Sequence, residues 1–255
     1  MSSEKILVEK SGPVTTIIIN RPEVRNALDQ EASALLAVAF ADFEQDDEAS
    51  VAVLTGAAGA FCAGADLKEL SDRSDYKAWA GHPEGPTHAP LSKPVIAAIA
   101  GTACAGGLGL ALFCDIRIAE ESAVFGVFCR RWGVPMSDGT TVRLPRLVGM
   151  GQALDMMITG KPVNAVEALA MGLVTRVVAT GDGRKAAEIL ALEIAGHPQI
   201  AMRSDRWSVI RQDGMDLAEA IQQEMELATE AKLKEAQAGA ARFAAGAGRH
   251  GSFNE

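Results

Sequence analysis

Apolar residues recur along this chain with two different periods, and the changes of period mark its elements. KILVEK (5–10) and VTTIII (14–19) are β-rich runs separated by Ser11-Gly12-Pro13, which predicts a hairpin. From Asp29 to Phe43 the spacing turns helical, with Leu28, Leu35, Leu36, Ala39 and Phe43 in phase, and it ends in Asp46-Asp47-Glu48. SVAVLTG (50–56) reads as a short buried strand stopped at Gly56, and KPVIAAIAG (93–101) as another stopped at Gly101. A helix begins at Gly106, and DIRIAEESAVFG (115–126) follows it as a third strand. Strand, helix and strand at this spacing point to an α/β architecture.

Beyond Gly133 the pattern is helical. GQALDMMITG (151–160) and NAVEALAMG (164–172) each close on a glycine just past the last periodic residue, and RKAAEILALEIAG (184–196) is a third helix. From Pro198 to about Ala245 everything reads as helix, too amphipathic to be solvated all round. The expected organisation is therefore a core over 1–196 and a helical region over 197–255 that packs on itself or on a neighbouring subunit. Residues 71–90 form the one long irregular stretch, of the length usually taken by a lid or a disordered loop.

Composition narrows the function classes. Of 255 residues 48% are apolar and 22% charged, enough for a sizeable core, and the net charge of −9 argues against nucleic acid or an anionic membrane as partner. The first residues, MSSEKILVEKSGP, hold no apolar run of signal-peptide length, and no later stretch approaches a membrane span. Cys62, Cys104, Cys114 and Cys129 show neither a C-x-x-C pair nor histidines at zinc spacing, so they are expected as reduced, mostly buried thiols of a cytoplasmic protein. GLGLAL from Gly107 resembles a dinucleotide fingerprint but fails at Leu112, and there is neither a G-x-S-x-G elbow nor a phosphate-binding G-x-x-x-x-G-K-S/T.

Two small-residue turns carry the chemistry. In FCAGADLKEL (61–70), Ala63, Gly64 and Ala65 precede Asp66, which suits the cap of a following helix. About forty residues on, again after a buried strand, Gly106-Gly107 opens the next helix. Backbone N–H groups from two such turns can converge on one oxygen, here those of Ala65 and Gly106, to make an oxyanion hole.

With these segments the chain resembles the crotonase (enoyl-CoA hydratase/isomerase) family over essentially its full length. RPEVRNALD (21–29), FCAGADLKEL, AGGLGLALFCDIRIA (105–119), the FGV, GVP and GTTVRLPRLVG segments within 125–149, and ITG…NAVEALAMGLVTRVV (158–178) stand in the family's order and spacing. The resemblance implies a spiral of ββα units, a helical C-terminal trimerisation region, and a homotrimer or dimer of trimers. It implies an acyl-CoA thioester whose carbonyl sits in the oxyanion hole, and no metal or redox cofactor. Ala63, Ala65, Asp66, Leu67 and Lys68 match the family segment along the CoA pantetheine and adenine, and Arg25 and Ala27 match a segment near the CoA nucleotide.

The catalytic residues depart from the family pattern. The family's usual hydratase route uses two glutamates, and the matching positions here are Gly109 and Cys129. Ordinary hydration then lacks its acid and base, and isomerisation or another enolate reaction is favoured; a non-catalytic acyl-CoA-binding protein is the alternative. Asp138, nine residues beyond Cys129, could move a proton or simply cap the helix of TTVRLPRLVG. For Cys129 packing is the stronger reading, because no histidine stands near it in sequence. Arg130 and Arg131 could bind an acyl carboxylate or pair across a subunit interface, and His82, His88 and Glu84 could swing over the acyl chain.

Overall fold

The computed structural model describes residues 4–72 and 85–248, and the chain divides into two compact units, Met1–Ile194 and Ala195–Glu255. In the first unit β1 (Ile6–Ser11) and β2 (Val14–Ile19) form the expected antiparallel hairpin, with Ile6 opposite Ile19. β2 is buried along its whole length, which is why its apolar run does not alternate. Helix α1 (Gln30–Gln45) starts where Asp29 accepts a hydrogen bond from Ala32 N at 2.8 Å and buries Leu36, Phe40 and Phe43. Strands β3 (Val51–Gly56) and β4 (Val95–Ile99) extend the sheet in parallel. Between them the short helix α2 (Leu67–Asp72) leads into residues 73–84, so the lid expected over 71–90, with His82 and Glu84, falls largely outside the described residues.

From β4 onward the chain repeats one motif. β4 is followed at once by β5 (Thr102–Cys104), which leaves the large sheet, and then by α3 (Gly106–Phe113). β6 (Ile116–Glu120) returns to pair with β4, and β7 (Val124–Gly126) pairs with β5. A tight turn over Phe128–Trp132 then leads to α4 (Thr140–Thr159). The single strand expected over 115–126 is thus two strands in different sheets, broken at Glu121-Ser122 because each repeat must supply one strand to each layer. Near the end of the unit come β8 (Val163–Asn164), α5 (Ala165–Ala170), β9 (Arg176–Val178) and α6 (Gly183–Ala195), and the sheets run β1-β2-β3-β4-β6-β9 and β5-β7-β8. This is the expected spiral of ββα units. Phe40 of α1 and Phe113 of α3, their ring centroids 5.5 Å apart, join the helices in one core.

The second unit holds α7 (Gln199–Arg211), α8 (Leu217–Ala231), a π-helical turn over Lys232–Ala236 and α9 (Gln237–Ala244). The unbroken helix read from Pro198 is interrupted between α7 and α8, where Gly214 takes φ +84° and Asp216 caps α8 through Glu219 N at 2.9 Å. The Glu235 carboxylate caps α7, accepting from Ile200 N at 3.1 Å and Ala201 N at 2.8 Å.

One buried side chain holds the segment between β2 and α1. Arg25 and Asn26 take successive left-handed conformations, φ +53° and +58°, which asparagine tolerates better than most residues. Asn26 is fully buried; its Oδ1 accepts from Arg21 N at 2.9 Å, and its Nδ2 donates to Ala57 O at 2.9 Å and Ala60 O at 2.6 Å. Asn26→Ala removes three hydrogen bonds to half-buried backbone groups, leaving Arg21 N and Ala60 O without their partner, and is expected to cost about 2–4 kcal/mol in urea-induced unfolding; a midpoint equal to wild type would show that the side chain holds nothing.

Candidate active site

The two small-residue turns meet backbone to backbone. Residues 25–28 run alongside 63–66, with Ala63 N donating to Arg25 O at 3.0 Å, Leu28 N to Gly64 O at 2.8 Å, and Asp66 N to Leu28 O at 2.9 Å. In such a parallel bridge the Ala65 amide turns away from the ladder. A second bridge, Cys62 to Ala103, carries the same strip to the base of α3. In each turn the residue before the proposed donor has positive φ: Gly64 at +100° before Ala65, and Ala105 at +50° before Gly106. Alanine in that region is strained, and the hydrogen bond from Ala105 N to Gly126 O at 2.9 Å helps to hold it there. A Cβ on Gly64 would stand 2.9 Å from Gly106 N, which measures how closely the turns approach.

Ala65 and Gly106 line one cavity of about 560 Å³. Among the described residues no acceptor takes a hydrogen bond from either amide. The Gly106 amide is also the first of α3, where the helix dipole adds partial positive charge. The C-terminal end of α3 is met by Arg117, 4% exposed, which donates to Cys114 O at 2.6 Å and Leu173 O at 2.8 Å. Sequence reasoning passed over this residue, although a cation inside a buried strand was the available signal.

Arg25, Ala63 and Leu67 also line the cavity. Ala27 is buried behind it, Lys68 is solvent-exposed, and neither belongs to its wall. Asp66 is committed elsewhere: it pairs with Arg21 at 3.1 Å and accepts from Lys68 N at 3.1 Å. Arg21 also donates to Ala27 O and pairs with Asp29 at 2.9 Å, so one guanidinium fastens both strips of the turn. Arg21 escaped the sequence reading because a proline follows it and an arginine after a strand reads as surface.

Asp138 enters the cavity from the other side, 5% exposed. Its Oδ1 accepts from Thr140 N at 3.0 Å at the start of α4, where Gly139 occupies the cap position. The side chain therefore serves the helix start and faces the cavity at once. Burial pushes its carboxyl above the ordinary aspartate value, and hydrogen bonding at Thr140 together with the Arg143 charge opposes that push. The carboxyl packs directly against Gly109 of α3, which is buried outside the cavity wall: a Cβ there would stand 2.5 Å from the Asp138 carboxyl carbon and 2.6 Å from Oδ2. Asp138 thus occupies the space that a longer side chain at position 109 would need.

Cys129 is buried and its Sγ lies 3.2 Å from Met136 Sδ; burial pushes its thiol up, which disfavours a thiolate nucleophile. Burial likewise raises Cys62 and Cys104 to about 12, and all four cysteines are free and buried. Arg130 donates to Met157 O at 3.3 Å and Arg131 to Gly160 O at 3.1 Å, so both engage the carbonyl end of α4. His88 is solvent-exposed and lies outside the cavity wall. Among the described residues no group of three or more His, Cys, Asp or Glu is placed to hold a metal ion, and no helix is long and apolar enough to cross a membrane.

The stacked ββα units define the fold class, and comparison with known proteins agrees. The family described as enoyl-CoA hydratase/isomerase matches residues 9–247. A short-chain-enoyl-CoA hydratase of Clostridium acetobutylicum is 34% identical over 231 residues, 89% of this chain and 88% of that one. An enoyl-CoA hydratase of Mycobacterium tuberculosis is 35% identical over 210 residues, 80% of this chain and 79% of that one. The crystal structure of an enoyl-CoA hydratase from Mycobacterium marinum superposes with a TM-score of 0.89 at 32% identity, covering 94% of this chain and 96% of that one. The chain belongs to the enoyl-CoA hydratase/isomerase family.

The raised Asp138 carboxyl has a consequence for stability. The folded protein keeps this proton at pH values where the unfolded chain has lost it, so stability falls as pH rises from 3.8, the ordinary aspartate value, through the raised one. Asp138→Asn keeps the acceptor for Thr140 N and removes the buried charge. The variant is expected to unfold at higher denaturant than wild type at pH 7, with the gap closing below about pH 4. A gap that widens on acidification would contradict the assignment.

Proposed function

We propose that this protein binds an acyl-CoA thioester with its carbonyl oxygen between the N–H groups of Ala65 and Gly106, and that Asp138 moves the proton. The observation that carries this reading is that Asp138 is the one carboxylate among the described residues lining the cavity that also holds both unbonded amides. Arg25, the cation of the wall, suits the phosphates at the nucleotide end of CoA. Chemistry runs through an enolate. The Asp138 carboxylate takes a proton from carbon, the electron pair moves onto the thioester oxygen, and the two amides stabilise the charge that forms there. A carboxyl raised by burial is a stronger base toward a carbon acid than an ordinary aspartate.

One carboxyl in that position favours double-bond isomerisation. A proton taken from the α carbon of a 3-enoyl thioester and returned to the γ carbon by the same group balances without water. Hydration needs one group to activate water and a group to deliver the proton, and the two positions of the usual hydratase glutamates hold Gly109 and Cys129. We further propose that the protein assembles as a trimer or a dimer of trimers. Leu217, Ile221 and Met225 on α8, and Met150, Leu154 and Ile158 on α4, each form an exposed stripe at helical spacing that supports burial between subunits.

Asp138→Asn is expected to lower turnover of a 3-enoyl-CoA by about 10²–10⁴-fold, followed as the ultraviolet absorbance of the conjugated product. Acyl-CoA affinity by calorimetry should change little. Undiminished turnover removes Asp138 from the mechanism. Wild-type hydration of crotonyl-CoA is expected to stay near background, and a rate typical of an efficient hydratase would sink the isomerase reading.

A further inference from the structure

We infer that Gly109 is a positioning residue: the missing side chain on α3 is what admits the Asp138 carboxyl to the cavity beside the two amides. This rests on the reading of Asp138 as the group that moves the proton, and it adds a requirement at a second position that touches no substrate.

Gly109 sits inside a regular stretch of helix. Its amide donates to Ala105 O at 3.2 Å, and its φ is not in the left-handed region, so the backbone there does not call for glycine. Glycine is a poor helix former, and alanine would suit this position better on backbone grounds alone. The neighbours on the helix, Leu108, Leu110, Leu112 and Phe113, are all buried apolar side chains of ordinary size. What singles out position 109 is the space outside the helix. A Cβ would meet three atoms of one group: the Asp138 carboxyl carbon at 2.5 Å, Oδ2 at 2.6 Å and Oδ1 at 3.0 Å.

The carboxyl has little freedom to retreat. Oδ1 is tied to Thr140 N at 3.0 Å, and the Asp138 backbone carbonyl accepts from Arg143 Nη1 at 3.2 Å. The Arg143 guanidinium also donates to Thr87 O at 2.9 Å and lies over the Phe113 ring at 5.7 Å, which keeps it in place. A side chain at 109 must therefore break the bond to Thr140 N or push the start of α4 outward. Either displaces the carboxyl from the thioester carbons. An acid on α3 and an acid at 138 are mutually exclusive solutions in this cavity.

The test is a double-mutant cycle with kinetics. Gly109→Ala alone should lower kcat on a 3-enoyl-CoA by about 10²-fold, the cost of a displacement near 1 Å, with KM within about twofold. In unfolding, Gly109→Ala should destabilise the wild-type background and stabilise the Asp138→Ala background, because removing the carboxyl leaves only the helix preference for alanine. A purely structural role for Gly109 predicts the same sign in both backgrounds, and that result, or an unchanged kcat in Gly109→Ala, overturns the inference. Failure of the underlying reading looks different: there, Asp138→Asn itself keeps full turnover.

Discussion

The structure depends on two strand-to-helix turns touching through bare backbone. A side chain on Gly64 would reach the Gly106 amide, and one on Gly107 would stand 2.0 Å from Cys62 O. Only small residues permit that approach, and only the approach places amides from two distant parts of the chain on one cavity. The rest of the core serves this contact. The Cys62–Ala103 and Leu28–Ala65 bridges set its register, Asn26 and Arg21 fix the strip behind it, and α3 packs on β5 and α4. Strain appears where such a contact requires it, in the positive φ of Ala105.

Electrostatically the cavity is arranged around one anion. The amide end of α3 and the free Ala65 N–H offer partial positive charge, while Arg117 takes up the opposite end of the helix dipole in the interior. The Asp138 carboxyl stands in this field without a salt bridge, held by one backbone amide, and its burial works against its charge. A base so placed is costly to ionise in the resting protein and correspondingly reactive toward a carbon acid. In the proposed reaction, a charge that passes from carboxylate to thioester oxygen moves from an unfavourable place to a favourable one, a difference that would lower the barrier without a second acid.

Much of the fold was legible because its strands are buried runs and its helices carry caps: Asp29, Gly160 and Gly172 end or begin elements where the sequence places them. What escaped was short or long-range. β5, β7 and β9 span three residues each, too few for a period to register, and β7 was joined to β6 because no glycine or proline separates them. The break before α8 rests on one glycine and an aspartate cap within a strongly helical composition. That Ala65 and Gly106 would come together was legible from the paired small-residue turns, and Asp138, nine residues beyond Cys129, lines the same cavity. Asn26, Arg21 and Arg117 were not legible. Each is a polar residue whose partners are backbone carbonyls or carboxylates from other segments, and no local pattern announces such a partner.

Family membership therefore determines less than it first suggests. At 34–35% identity to proteins named enoyl-CoA hydratases the chain shares a scaffold, and the pair of amides proposed for the oxyanion is made by backbone geometry alone. The acid is a separate matter, carried by side chains whose only common requirement is to reach the same small volume. In this chain that volume is filled from the start of α4, and the position on α3 that could fill it is a glycine. The volume holds one carboxyl, so gaining an acid on one element means losing it from the other. A scaffold that fixes the oxyanion site and leaves the acid to local sterics can change its proton chemistry by exchanging two residues, and the fold need not respond.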